Sequence, residues 1–286
     1  LVTSDGLISM ITMQSWMFLS SFSKLREKIL DKSTLLSMAH LGAKGFDSIG
    51  GEVVQTTAFI LEREKYLDFK GDYLRLVLGA SEAEKQYDFK NNKSGGLLKY
   101  SASAGDFRKV PGAPIAYWLS PKVFETFSKC ETLGAYCESG GRIKTHDNDT
   151  YMRVHWEVDR NKTNSNKPSW NLYENGGEAF KWYGNVLNVV NWLPSSREFY
   201  QSHGGLTNER FWKREGITWN NIGKSGFRYK PADTEYSSVS PTAFPNNPNL
   251  LYFIIGFLNT KFSFELISVI NPSLSNTIGD IFKLPL

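Results

Sequence analysis

Apolar and β-favouring residues gather first at 7–12 (LISMIT), a run that predicts a buried strand, and then recur at helical spacing through Trp16, Leu19, Leu25 and Ile29. A second strand is predicted over 35–41 (LLSMAHL) and a third over 53–62 (VVQTTAFILE), joined by the loop GAKGFDSIGGE. This order reads as the end of an α/β sheet whose last two strands form an antiparallel pair. Residues 63–95 are rich in charge, close in the turn-prone NNKSGG, and read as an amphipathic connector. Beyond Lys99 the texture changes to short strand-like runs (IAYWL, YMRVHWEV, NVLNVVNWL) separated by Gly, Asn, Pro and Ser, with two helix-forming apolar segments at 250–259 and 261–270. The expected fold class is therefore α/β and α+β, with a first domain over 1–95 and a second, of α+β type, over 96–286.

A chain of 286 residues, 41% hydrophobic and 22% charged, has enough material to bury a core in two units. The apolar opening is interrupted by Asp5, Ser9, Thr12, Gln14 and Ser15, and no basic segment precedes it. It lacks both the form of a signal peptide and the roughly 20 apolar residues of a membrane helix. Neither export nor membrane insertion is expected. The chain also enters a strand pattern almost at once, without an initial methionine, as a domain cut open upstream would. Two cysteines, Cys130 and Cys137, are too few for a disulfide framework and suit a reducing cytoplasm.

Charge adds one asymmetry. Basic and acidic residues balance over 1–95, so the net charge of +4 comes entirely from the second part, which also holds all the tryptophans except Trp16. Two stretches there combine basic, amide and aromatic side chains as a nucleic-acid surface would. One carries Arg142, Lys144, Thr145, Asn148 and Arg153. The other carries Arg210, Lys213, Arg214, Lys224, Arg228 and Lys230 among Phe211, Trp212, Trp219, Phe227 and Tyr229.

Catalytic signatures are missing: there is no G-x-S-x-G elbow, P-loop or H-E-x-x-H helix. The Cys130/Cys137 spacing departs from that of a zinc knuckle, and strand alternation would split Asp147, Asp149, Glu157 and Asp159 between faces. No metal site is expected.

The stretches GLISMITMQSWMFLSSFSKLREKIL and LLSMAHLGAKGFDSIGGEVVQTTAFILERE resemble the segment that follows the NPPY motif in gamma-type adenine-N6 DNA methyltransferases. That family includes type IIG restriction-modification enzymes and the PglX methyltransferases of BREX phage defence. GGRIKTHDNDTYMRVHWEV, FKWYGNVLNVVNW and the closing LLYFIIGFLNTKFSFELISVINPSLSNTIGDIFKLPL resemble its target-recognition portion, so nearly the whole chain is covered. Where the family has T-G-x-N-D, this chain reads Thr145-His146-Asp147-Asn148-Asp149, with His146 in the glycine's place.

The resemblance implies methyl transfer from S-adenosylmethionine to N6 of an adenine flipped out of double-stranded DNA. It places Phe46 where the family has an aromatic that sandwiches the flipped base, and Trp16 is a second candidate for that pocket. The chain contains neither [ND]-P-P-[YFW] nor a glycine-rich donor loop. No catalytic residue is therefore expected here, nor donor binding or methylation by this fragment alone. The expected partners are double-stranded DNA and the missing N-terminal half, or other defence subunits. The alternatives are a specificity-subunit-like DNA-binding module, which the ending GDIFKLPL resembles, and last a divalent-metal nuclease.

Overall fold

The computed structural model describes all residues except 1–2, 4–5, 50–53, 67, 94, 164–166 and 224–225. The chain forms two compact units, one comprising Leu1–Cys130 with Val269–Pro272 and Pro285, the other the remaining residues from Glu131 onward. The division thus falls after Cys130 and not at 95.

The reason lies in the expected connector. Within it, β4 (Lys70–Arg75) joins the first unit's sheet, parallel to β2 (Thr34–Gly42), and β5 (Lys99–Ser103) pairs with β4 from the other side. With β1 (Leu7–Met13) and β3 (Thr56–Glu62) they form a five-stranded sheet ordered β1-β3-β2-β4-β5. The predicted antiparallel pairing of β2 with β3 is present, with Leu35 opposite Leu61 and Ala39 opposite Ala58. Gly71 marks where β4 passes β2, since a Cβ there would lie 2.4 Å from the Leu35 carbonyl oxygen.

β1 corrects another expectation. It is an edge strand, with Leu7, Met10, Ile11 and Met13 all exposed, and among the described residues nothing pairs with its outer side. The helix expected after it starts late. Two 3-10 turns, Gln14–Met17 and Ser20–Phe22, come first, and α1 spans Ser23–Lys32. Arg26 on α1 is buried, without an acidic partner among the described residues. Its guanidinium donates to the carbonyls of Trp16, Leu19 and Gly112 at 2.7–2.9 Å, fastening the helix to both segments. α2 (Glu82–Asn92) begins on a Ser81 cap. Its Lys85 donates to the carbonyls of Leu41 and Leu76, both at 2.8 Å, tying the chain together as it leaves β2 and β4. α3 (Ala104–Lys109), capped by a Ser103/Asp106 box, and α4 (Pro121–Lys129) complete the unit. The run IAYWL, expected as a strand, is irregular, and its Ile115, Ala116 and Tyr117 are fully buried.

The second unit has the α+β texture expected. After the single turn α5 (Leu133–Tyr136) come β6 (Cys137–Glu138), the single turn α6 (Asn148–Tyr151), β7 (Met152–Val154), β8 (Trp170–Glu174) and β9 (Asn188–Asn191). They are followed by α7 (Pro194–Ser202), β10 (Gly216–Thr218), β11 (Arg228–Lys230), β12 (Thr234–Tyr236) and β13 (Thr242–Pro245). Two four-stranded sheets result, ordered β11-β10-β13-β6 and β12-β8-β9-β7. Ile143, Tyr173, Val190, Trp192 and Tyr200 pack into one core cluster. The two predicted apolar helices are α8 (Leu251–Leu258) and α9 (Lys261–Ile270), and the single turn α10 (Ile278–Ile281) follows them. No single helix among the described residues is long and apolar enough to cross a membrane.

Candidate nucleic-acid interface

In the first unit, β1 and β2 both run antiparallel to β3, and β2 runs parallel to β4, so three strands present their carboxyl ends along one edge. That is where open α/β sheets place their ligands. Gln14 follows β1, His40 lies near the end of β2, Arg75 closes β4, and the loop carrying Phe46 leaves β2.

Phe46 is half-buried in a turn, with the Ile49 amide donating to its carbonyl. The loop is fixed by Asp47 and Glu82, each of whose carboxylates accepts from the other's backbone amide at 3.1 Å. Trp16 is placed otherwise. It is 7% exposed and packs against Phe59 with ring centroids 5.0 Å apart, so it is a core residue and not a wall of an open pocket.

His40, which the sequence did not single out, is the centre of this edge. The oxygen of Gln14 can only accept, so His40 Nε2 donates to it, and Nδ1 accepts from the Tyr117 hydroxyl at 2.9 Å. Burial, with Arg75 and Lys85 adding like charge, pushes the imidazole down to about 3, and the ring is neutral. Tyr117 stacks on Tyr73 at 4.7 Å, and the Arg75 guanidinium lies 5.0 Å from the Trp118 ring. His40, Tyr73 and Tyr117 are as buried as Trp16, so this polar and aromatic cluster is core that underlies the edge and not an open pocket.

In the second unit the two basic stretches meet. The Lys144 amide donates to the Gly205 carbonyl at 2.8 Å. A Cβ on Gly141 would lie 3.1 Å from Thr207, and one on Gly140 would collide with Phe211. Along the first stretch exposure alternates, with Arg142 and Lys144 outward and Ile143 and Thr145 buried. Thr145 is not available to DNA; its hydroxyl donates to the exposed Asn148. Arg153 is half-buried and bonded to the carbonyls of Asp149 and Met152. His146, standing where the family has glycine, keeps a left-handed backbone with φ 61°. Histidine tolerates that region better than most side chains, so the turn survives the replacement.

In the second stretch Arg210 and Lys213 are exposed, while Arg214 is half-buried. Glu138 binds Arg210 at 3.2 Å and Arg214 at 2.6 Å, and the hydrogen bond from Arg214 is the largest influence holding its carboxyl below the usual range. Arg228 and Lys230 correct the expectation. Both lie on β11 and are fully buried. Arg228 bonds Glu174 at 3.4 Å and Asn220 at 3.1 Å. Lys230 donates to the carbonyls of Arg214 and Pro231, and burial pushes its ammonium down to about 8. Neither can reach a phosphate. Lys224 lies outside the described residues.

Beside this surface run two grooves that share Pro194, Arg197 and Trp212 as a wall. Cys130 is exposed and Cys137 buried, its thiol pushed up to about 12 by burial. Among the described residues no three His, Cys, Asp or Glu side chains are grouped to hold a metal.

No protein-family model matches the sequence. The chain is 34% identical, over all of its length, to the adenine-specific methyltransferase PglX of Lacticaseibacillus casei (strain Zhang), and 34% identical to the adenine-specific methyltransferase BrxX of Escherichia coli O9:H4 (strain HS). It spans 26% and 24% of those two proteins, about a quarter of their length. The type IIL restriction-modification enzyme MmeI, whose structure was solved in complex with DNA, has a similar fold. It aligns with a TM-score of 0.52 over 96% of this chain and 38% of its own, at 9% identity. By its identity over its whole length, the chain belongs to the PglX/BrxX family of adenine-specific methyltransferases and corresponds to a segment of them.

Proposed function

We propose that this chain is the DNA-recognition and partial catalytic region of an S-adenosylmethionine-dependent adenine-N6 DNA methyltransferase of restriction-modification or BREX phage defence, and is inactive by itself. The observation that supports the reading is the junction of the two basic stretches, where Gly140 abuts Phe211 and the Lys144 amide bonds the Gly205 carbonyl, with Arg142, Lys144 and Asn148 exposed on one stretch and Arg210 and Lys213 on the other. Those cations suit phosphate positioning. The loop carrying Phe46 supplies an aromatic for a flipped adenine at the carboxyl edge of the sheet, where stacking is worth about 1–3 kcal/mol per base. Donor binding and the NPPY chemistry belong to a further part of the enzyme that partners this chain. The two unbridged cysteines suit its place in the cytoplasm.

Fluorescence anisotropy with labelled duplex DNA tests this directly. Binding is expected to weaken steeply with salt, and each of Arg142→Ala, Lys144→Ala and Lys213→Ala is expected to lower the salt slope by about 1. The chain incubated with labelled S-adenosylmethionine and DNA is expected to transfer no methyl. Transfer by the chain alone, or duplex binding indifferent to all three replacements, contradicts the reading.

A further inference from the structure

α7 carries an arginine that the basic stretches do not include. The guanidinium carbon of Arg197 lies 5.8 Å from the ring centroid of Trp192 and 5.4 Å from that of Trp212. The two indoles are themselves in edge contact at 5.1 Å. Trp212 is pinned through its Nε1, which donates to the Thr207 carbonyl at 3.0 Å, and Trp192 is part of the core cluster. Arg197 Nε is buried, and among the described residues it has no hydrogen-bond partner and the side chain forms no ion pair. A guanidinium held against two fixed rings has lost much of its freedom, while its donors are still unspent.

The charge around it selects the ligand. One adjoining groove is lined by Arg197 together with Glu198 and Glu209, the other by Arg197, Lys167, Lys213, Asp233 and Glu235. The first of these walls, with two carboxylates to one guanidinium, repels phosphate. It matches the major-groove edge of a G·C pair, which offers O6 and N7 as acceptors on guanine and an amino donor on cytosine.

We propose that Arg197 is a specificity-determining residue that reads a guanine of the target through O6 and N7, with Glu198 or Glu209 placed to accept from the paired cytosine. This rests on the second unit being a DNA-recognition region. The residue lies outside the set that carries that reading, so the two can fail separately.

The test is selection from a random-sequence duplex library by the 286-residue chain, followed by sequencing of the bound pool, for the native protein and for Arg197→Lys and Arg197→Gln. The native protein is expected to enrich a motif containing guanine. Arg197→Lys keeps the charge but loses the planar fork. It is expected to lose about ten- to hundred-fold of the preference at one guanine, with its salt slope and melting temperature unchanged. Arg197→Gln should lose the same preference. An unchanged motif in both variants overturns the role of Arg197 and leaves the recognition reading standing. A uniform loss across all sequences with a lower salt slope makes Arg197 a phosphate contact and also overturns it. Failure of the native chain to bind any duplex removes both.

Discussion

Arg228→Met is expected to cost the second unit about 3–5 kcal/mol, the usual result of removing one partner from a buried ion pair. Arg228 and Glu174 are both 0% exposed, and one oxygen of Glu174 has no hydrogen-bond partner even with the arginine in place. Burial outweighs the pairing and raises the Glu174 carboxyl to about 7. A folded-state value above the ordinary one gives stability that is complete below about 4.5 and lost as pH rises through 7. Without Arg228 the carboxyl must take up a proton, so the variant is expected to suffer less at pH 6 than at pH 8. Adding Glu174→Gln should recover part of the loss. Urea unfolding at the two pH values measures this. Unchanged stability together with lost DNA binding would return Arg228 to the surface role its place among aromatics suggested.

The first unit is expected to respond to pH in the opposite direction. His40 is neutral when folded and pushed down to about 3, against an ordinary 6.5, so the unfolded chain takes up a proton that the folded chain refuses. Its contribution is complete above about 6.5 and is lost as pH falls toward 3. At about 1.4 kcal/mol per pKa unit, the loss is on the order of 4 kcal/mol. His40→Gln keeps hydrogen-bonding groups toward Tyr117 and Gln14 but cannot titrate in this range. It is expected to flatten the acid limb of stability between pH 6.5 and 3. An acid limb that is equally steep in the variant would place the responsible proton elsewhere.

These two groups show what the sequence could and could not reveal. The strand–loop–strand of β2 and β3, the loop position of Phe46 and the helices at 250–270 were legible because apolar periodicity reports them directly. β4 was not legible. Asp68, Lys70, Asp72 and Arg75 made its segment look like a solvated connector, although Tyr73, Leu74 and Leu76 are buried. Arg228 and Lys230, spaced by two on β11, share a face, and sequence records their charge but not that this face is the inner one. The His40 cluster unites residues 26 and 77 positions apart, and Arg197 sits alone in PSSREFY without a basic neighbour. Such sites come from tertiary contact, which no local pattern encodes.

The exposed edge of β1 bears on how this polypeptide behaves in a test tube. Unpaired among the described residues, the outer amides and carbonyls of β1, flanked by Leu7, Met10, Ile11 and Met13, are a template for any strand that meets them. For the isolated chain the readiest such strand is β1 of a second copy, so protein concentration governs whether the material stays monodisperse.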